Sequence, residues 1–250
     1  MLWLPFLLVA WTAAAVSCAR LCLAAVEAAK PPHRPETPAD RDRVRELSLY
    51  EAAFLAGGPS RVTELTLVSM HRRRRLLLAH TGWATVVDPA GEDDLERSVI
   101  GAIGPGGQSR TAAVRTAAAR SPAVHALADR LVAAGLAVPE GARAAVGASI
   151  RAVRGATALT VLLAAAVPLL LPAGHVPPGP GMAWFALPLV LTLGCLVIAR
   201  IEVHPYTRWA SPAGQRLLAR VTPRDPLTAV AIGGVAAVDD PALRAALSAP

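Results

Sequence analysis

Apolar residues run without a formal charge from Met1 to Ala19, and Arg20 is the first interruption. A bilayer hydrocarbon core of roughly 30 Å takes about 20 helical residues, so this run nearly spans, with the long Arg20 stem reaching the interface. The helix predicted here extends through LCLAAVEAA to residue 29, because Pro31 and Pro32 withhold backbone donors that a helix interior needs. Region 30–45 contains PPHRPETPADRDR, which mixes proline with both charge signs and reads as a linker. A second uncharged stretch lies between Arg154 and Arg200. Its pattern predicts a span over 155–173, an external turn over 174–181 built on GHVPPGPG, and a span over 182–199. Pro168 and Pro188 fall inside these spans, where neighbouring helices can accommodate a kink.

The region between the spans has shorter periods. In LSLYEAAFLAGG, Leu49, Ala52, Ala53 and Ala56 recur at helical spacing, and Gly57-Gly58 stops the helix before Pro59 starts another. Val62, Leu65 and Val68 share one face of the next helix, and LLLAH with WATVVD forms a hairpin around Thr81-Gly82. LERSVIGAIG, SRTAAVRTAAAR and SPAVHALADRLVAAG read as three further helices. In the last of them Val124, Leu127, Ala128, Leu131 and Val132 form a buried stripe. The fold class expected is mainly α: three transmembrane helices plus a small helical, winged-helix-like domain over 46–138 with a short β-hairpin. A basic juxtamembrane helix over 139–154 leads into the second span. The tail, 200–250, starts with Tyr206 and Trp209 beside Arg208, a headgroup-zone pattern, and is expected to lie along the inner membrane surface.

Composition agrees with a membrane class. The apolar share is 54%, the charged share 17% and the mean hydropathy +0.44, too apolar for an ordinary soluble domain. Net charge is +7, with Lys30 the only lysine among 25 basic residues. Arg20, Lys30 and Arg34 follow the first span, Arg143, Arg151 and Arg154 precede the second, and Arg200 and Arg208 follow the third, whereas the turn carries no basic residue. Retention of basic segments then puts the amino terminus outside and both the central domain and the tail in the cytoplasm of a multi-pass plasma-membrane protein. A cleavable signal is opposed by the missing basic n-region. Cys18, Cys22 and Cys195 sit in apolar runs and read as buried thiols.

LYEAAFLAGGPSRVTELTL, the hairpin, the LADRLVAAGL helix end, the paired spans and TRWASPAGQRLL together resemble an uncharacterised actinobacterial membrane-protein family, with EAAFLAGGPSRV the most specific part. The resemblance implies a membrane protein of unassigned activity and supplies no catalytic residues. Its members often carry a Gly-rich tail, whereas this chain ends in VAIGGVAAVDDPALRAALSAP.

Little else points to chemistry. Arg72, Arg73, Arg74 and Arg75 after His71 are the densest charge in the chain, readable as a solvated helix end or as a contact for anionic lipid headgroups. Nucleic acid is disfavoured as a partner, because Thr63, Glu64, Thr66 and Ser69 make only a mildly suited recognition face and Glu64 repels phosphate. Gly57-Gly58-Pro59 lacks the Lys-Ser/Thr of a phosphate cradle and reads as a corner, as GPGGQ reads as a loop. Glu92, Asp93, Asp94 and Glu96 precede an apolar helix and suit its start. The six histidines stand singly, so no metal or cofactor is expected. His125 and Asp129 read as a surface pair, and the spans hold none of the ionisable side chains of an ion pathway. The function expected is a non-enzymatic scaffold or interaction protein with an unidentified protein partner. The alternative is a membrane-tethered winged-helix-like regulator touching nucleic acid through Arg72 to Arg75.

Overall fold

The computed structural model describes residues 4–29, 46–170, 183–203 and 209–249. The linker, the turn at 174–181, Tyr206 and three of the histidines (His33, His175 and His204) lie outside them. The chain divides into two units, one made of residues 1–30 and 139–208, the other of 31–138 and 209–250.

The first unit is built from α1 (Leu4–Ala29), α7 (Glu140–Leu170) and α8 (Ala186–Val203). Two of these helices are long and apolar enough to cross a membrane, and Ala186–Ile198 of α8 is a shorter apolar segment. The buried face of α1 is made of Ala10, Ala14, Ser17, Cys18 and Leu21, a run of mostly small residues that lets helix backbones approach closely. Ala10 packs with Val167 and Phe185, and Cys18 with Val153. Leu8, Leu23, Val26, Leu162 and Val190 face outward, an apolar surface that suits lipid as the solvent. Buried Thr160 and Thr192 spend their hydroxyls on the carbonyls of Ala156 and Pro188 in their own helices, at 2.9 and 3.0 Å. The expected juxtamembrane helix over 139–154 and the described part of the span expected over 155–173 form a single helix, Glu140–Leu170.

In the second unit α2 (Leu49–Gly57) and α3 (Pro59–Arg72) meet at a sharp corner. Ser48 and Glu51 close a capping box at the start of α2. Gly58 makes the corner at φ 74°, and a Cβ there would stand 2.1 Å from the Trp209 ring, so both conformation and space require glycine. After α3 come β1 (Leu76–Ala79), β2 (Trp83–Val86), α4 (Asp94–Ile103), β3 (Gln108–Arg110), α5 (Thr111–Ala118) and α6 (Pro122–Ala133). The sheet is antiparallel in the order β1-β2-β3, with Leu76 opposite Val86 and Trp83 opposite Arg110. It differs from the expected two-stranded hairpin: Gln108 to Arg110 add a strand where a loop and helix start were expected. Gly104 and Gly107, both at positive φ, turn the chain so that the Val86 N–H donates to Gly107 O.

The larger difference is the tail. It does not form a separate element. Residues 209–249 contribute α9 (Pro212–Leu218), α10 (Pro226–Gly233), a 3₁₀ turn (Gly234–Ala237) and α11 (Pro241–Ser248), all in one core with α2 to α6. The domain expected over 46–138 is therefore discontinuous, leaving at Val138 and resuming at Trp209. Ala137 and Ala210 form an antiparallel bridge, Val138 N–H donates to Trp209 O at 2.9 Å, and Ser211 N–H donates to Leu136 O at 2.8 Å. Trp209 packs edge-on against Phe54, centroids 5.6 Å apart. An aromatic ring that suits a headgroup zone suits an apolar core equally well, which is why its pattern misleads.

Charge fixes the tail as well. Arg61 donates to Ile232 O at 3.0 Å at the end of α10, and Arg115 donates to Leu247 O at 2.5 Å near the end of α11. Each guanidinium thereby satisfies a carbonyl that a helix end leaves open. Glu64 lies between them, 3.5 Å from Arg61 and 3.8 Å from Arg115. Burial pushes the Glu64 carboxyl above its ordinary value of 4.5, against the pull of both arginines.

The folded chain therefore holds the Glu64 proton more tightly than the unfolded chain does. This contribution to stability is fully present below the ordinary carboxyl value and is lost as pH rises through the folded one. Denaturant unfolding from about pH 4 to pH 7 should show the stability of the natural chain falling relative to a Glu64→Gln variant as pH rises. A difference independent of pH would contradict this.

Candidate functional site

The four arginines are split by the fold. Arg73 and Arg75 turn inward to the start of α4, where Asp93 caps the helix through the Glu96 N–H at 2.7 Å. Glu96 is fully buried, and its carboxylate accepts from Arg75 at 2.9 Å, from Arg73 at 3.4 Å and from the Glu92 N–H at 2.9 Å. Glu92 pairs with Arg73 at 2.5 Å and Arg75 at 2.8 Å, and Asp88 stands 3.8 Å from Arg75. The acidic cluster thus begins a helix, as expected, and also neutralises half of the arginine run. Nearby Tyr50 has its phenol pushed up to about 12 by burial, with Asp93 and Glu96 adding to the shift.

Arg72 and Arg74 point elsewhere. Both are exposed, and among the described residues no carboxylate lies within ion-pair distance of either. They line a groove of about 700 Å³ with His71, Val68, Val230 and Leu243, and Asp239 and Asp240 also border it. Leu77 of β1 and Val87, just past β2, are 55% and 54% exposed and line it too. Asp225, the cap of α10, is near Arg72; its carboxyl is held below the usual range chiefly by the backbone N–H and hydroxyl of Thr228, with Arg72 adding a little. The lining combines both charge signs with apolar side chains.

Arg74 has a further property. It is the only non-glycine residue at positive φ among the described residues, at 57°. It occupies the position just after α3, where Arg74 N–H donates to His71 O and Arg75 N–H to Met70 O, both at 3.0 Å. Glycine is the residue this helix-ending conformation favours, and a side chain with a Cβ costs roughly 1–2 kcal/mol there. Strain of this kind concentrates at sites of function. The His71 ring lies beside β1, with Nδ1 3.2 Å from Leu76 O and 3.4 Å from Leu78 N.

The polar face proposed for reading nucleic acid is not presented. Thr63, Thr66 and Ser69 are buried, with the Thr63 and Thr66 hydroxyls bonded to Pro59 O and Val62 O at 3.1 and 2.9 Å. Helix α3 is the central helix of the unit rather than an outer one, a consequence of tail helix α10 packing upon it. His125 and Asp129 are exposed on α6, and His125 is spent on Ser121 O at 2.9 Å. The groove's second border, Asp239 and Asp240, escapes sequence reading because Asp240 before Pro241 signals only a helix start. No pattern in the sequence marks Arg74 as left-handed. No family model, curated protein or solved structure matches the chain.

An Arg74→Gly variant should be more stable than the natural chain by about 1 kcal/mol, read as a higher midpoint in denaturant, because relief of φ strain outweighs loss of an exposed side chain. A lower midpoint would show that Arg74 makes a stabilising contact which this account omits.

Proposed function

We propose that this chain is a non-enzymatic integral membrane protein of the actinobacterial family that its motifs resemble, with its mixed helical unit on the cytoplasmic side. The groove beside Arg74 binds an extended segment of a protein partner. The observation that carries the reading is the exposed, strained Arg74 on a groove with an apolar floor and both charge signs. An anionic membrane surface would be attracted by Arg72 and Arg74 and repelled by Asp239 and Asp240, whereas a peptide can present both signs together with apolar side chains. Nucleic acid fits less well, since Arg73 and Arg75 are already neutralised and the remaining basic charge is small.

Photo-crosslinking of the full chain in native membranes, with p-benzoylphenylalanine in place of Leu77, tests this reading. A discrete protein adduct is expected, reduced at least about tenfold by Arg74→Gly and by Asp240→Arg, as follows from a loss of about 1.4 kcal/mol in binding. Adducts with lipid alone, or protein adducts indifferent to both substitutions, would overturn it.

A further inference from the structure

Two of the chain's three cysteines, Cys18 and Cys195, lie 177 positions apart in the sequence and meet in the apolar helix bundle. Cys18 of α1 is buried with Leu21 and Val153, and half-buried Cys195 of α8 packs against the same cluster beside the Cys18 thiol. Cys22 lies one helical turn beyond Cys18 on α1 and is exposed. Both members of this pair are free thiols. The pair sits near the arginine-flanked end of the bundle, since Arg20 follows Cys18 by two residues and exposed Arg151 and Arg154 bracket Val153. Leu21, Val153, Ile150 and Leu196 pack around the pair, with Ala14 and Ser17 on the same face of α1.

We propose that Cys18 and Cys195 are a redox-active dithiol that closes to an intramolecular disulfide, locking α1 to α8, with a lipid-soluble quinone as oxidant. Two S–H bonds break and one S–S bond forms. The two electrons and two protons released reduce the quinone to its hydroquinone. A bilayer-partitioning oxidant suits the place, because the pair is set among apolar helices rather than on a water-facing surface, and a quinone is the class that accepts two electrons and two protons there. Cys22, exposed and outside the pair, remains a thiol. The inference does not depend on the groove or its partner.

Thiol counting on the full chain in lipid vesicles tests it, with duroquinone as the probe because its fully substituted ring resists addition of thiols. After exposure, the chain is denatured and labelled with polyethylene-glycol maleimide. The natural chain should fall from three reactive thiols to one, and dithiothreitol should restore all three. A Cys22→Ser variant should lose every reactive thiol, while Cys18→Ser and Cys195→Ser should each keep both that remain. Three thiols persisting in the natural chain, persistence of both thiols in Cys22→Ser, loss that dithiothreitol does not reverse, or a bond that joins two chains would each overturn the proposal.

Discussion

Two guanidiniums, Arg61 on the central helix and Arg115 on α5, hold the far end of the chain in place. Glu64 stands between Arg61 and Arg115, and these guanidiniums reach the closing carbonyls of two helices more than 130 residues further along, as the separations of 171 and 132 positions show. Helix ends need partners for their last carbonyls, and cations supply them with favourable charge against the helix dipole. Burial disfavours the charge on Glu64 between the two arginines, so the two arginine-to-carbonyl bonds, rather than the carboxylate, carry this contact. Around it the remaining restraints are steric. The Trp209 ring occupies the space over Gly58, and a Cβ at Gly214 would stand 2.1 Å from Leu136 O.

These restraints explain the motifs. EAAFLAGGPSRV supplies Phe54, Gly58 and Arg61; the LVAAGL helix end supplies the carbonyls of Gly135 and Leu136; TRWASPAG supplies Trp209, Ser211 and Gly214. The Ser211 hydroxyl donates to Gly135 O at 2.6 Å, and the three segments meet in one place. The polypeptide leaves the mixed unit and returns to it at neighbouring backbone positions, so its paired apolar helices form an insertion within a folded unit rather than a break between two domains. Short separation of the two crossing points is the usual condition under which a fold tolerates such an insertion.

Much of the local structure was legible from spacing. Pro59 at a helix start, Gly57-Gly58 at a helix stop, the Thr81-Gly82 turn and the buried stripe on the helix with Leu127 all follow from local chemistry that acts within a few residues. What was not legible came from long-range contacts. Thr63, Thr66 and Ser69 are polar and therefore read as an outer face, yet all three are buried, the Thr63 and Thr66 hydroxyls satisfied within their own helix. Likewise Trp209 has the amphipathic chemistry of a membrane-interface residue, and only its partner, Phe54, distinguishes the two roles. The arginine run shows the limit for the candidate site: four adjacent positive charges are visible in the sequence, but which two are neutralised depends on Glu92 and Glu96 folding back across the start of α4. Left-handed backbone at Arg74 leaves no trace in the sequence, and the groove that gives it meaning has a border drawn from residues 239 and 240.

The most direct test of the central claim is amide hydrogen exchange, followed by mass spectrometry, on peptides from 59–72 in the full chain and in a chain ending at residue 208, both in lipid vesicles. Exchange reports the free energy of opening the central helix. If residues 209–249 complete the core, the shortened chain should lose protection across Val62 to Met70 by at least about tenfold, the equivalent of about 1.4 kcal/mol. Equal protection in the two chains would contradict the account.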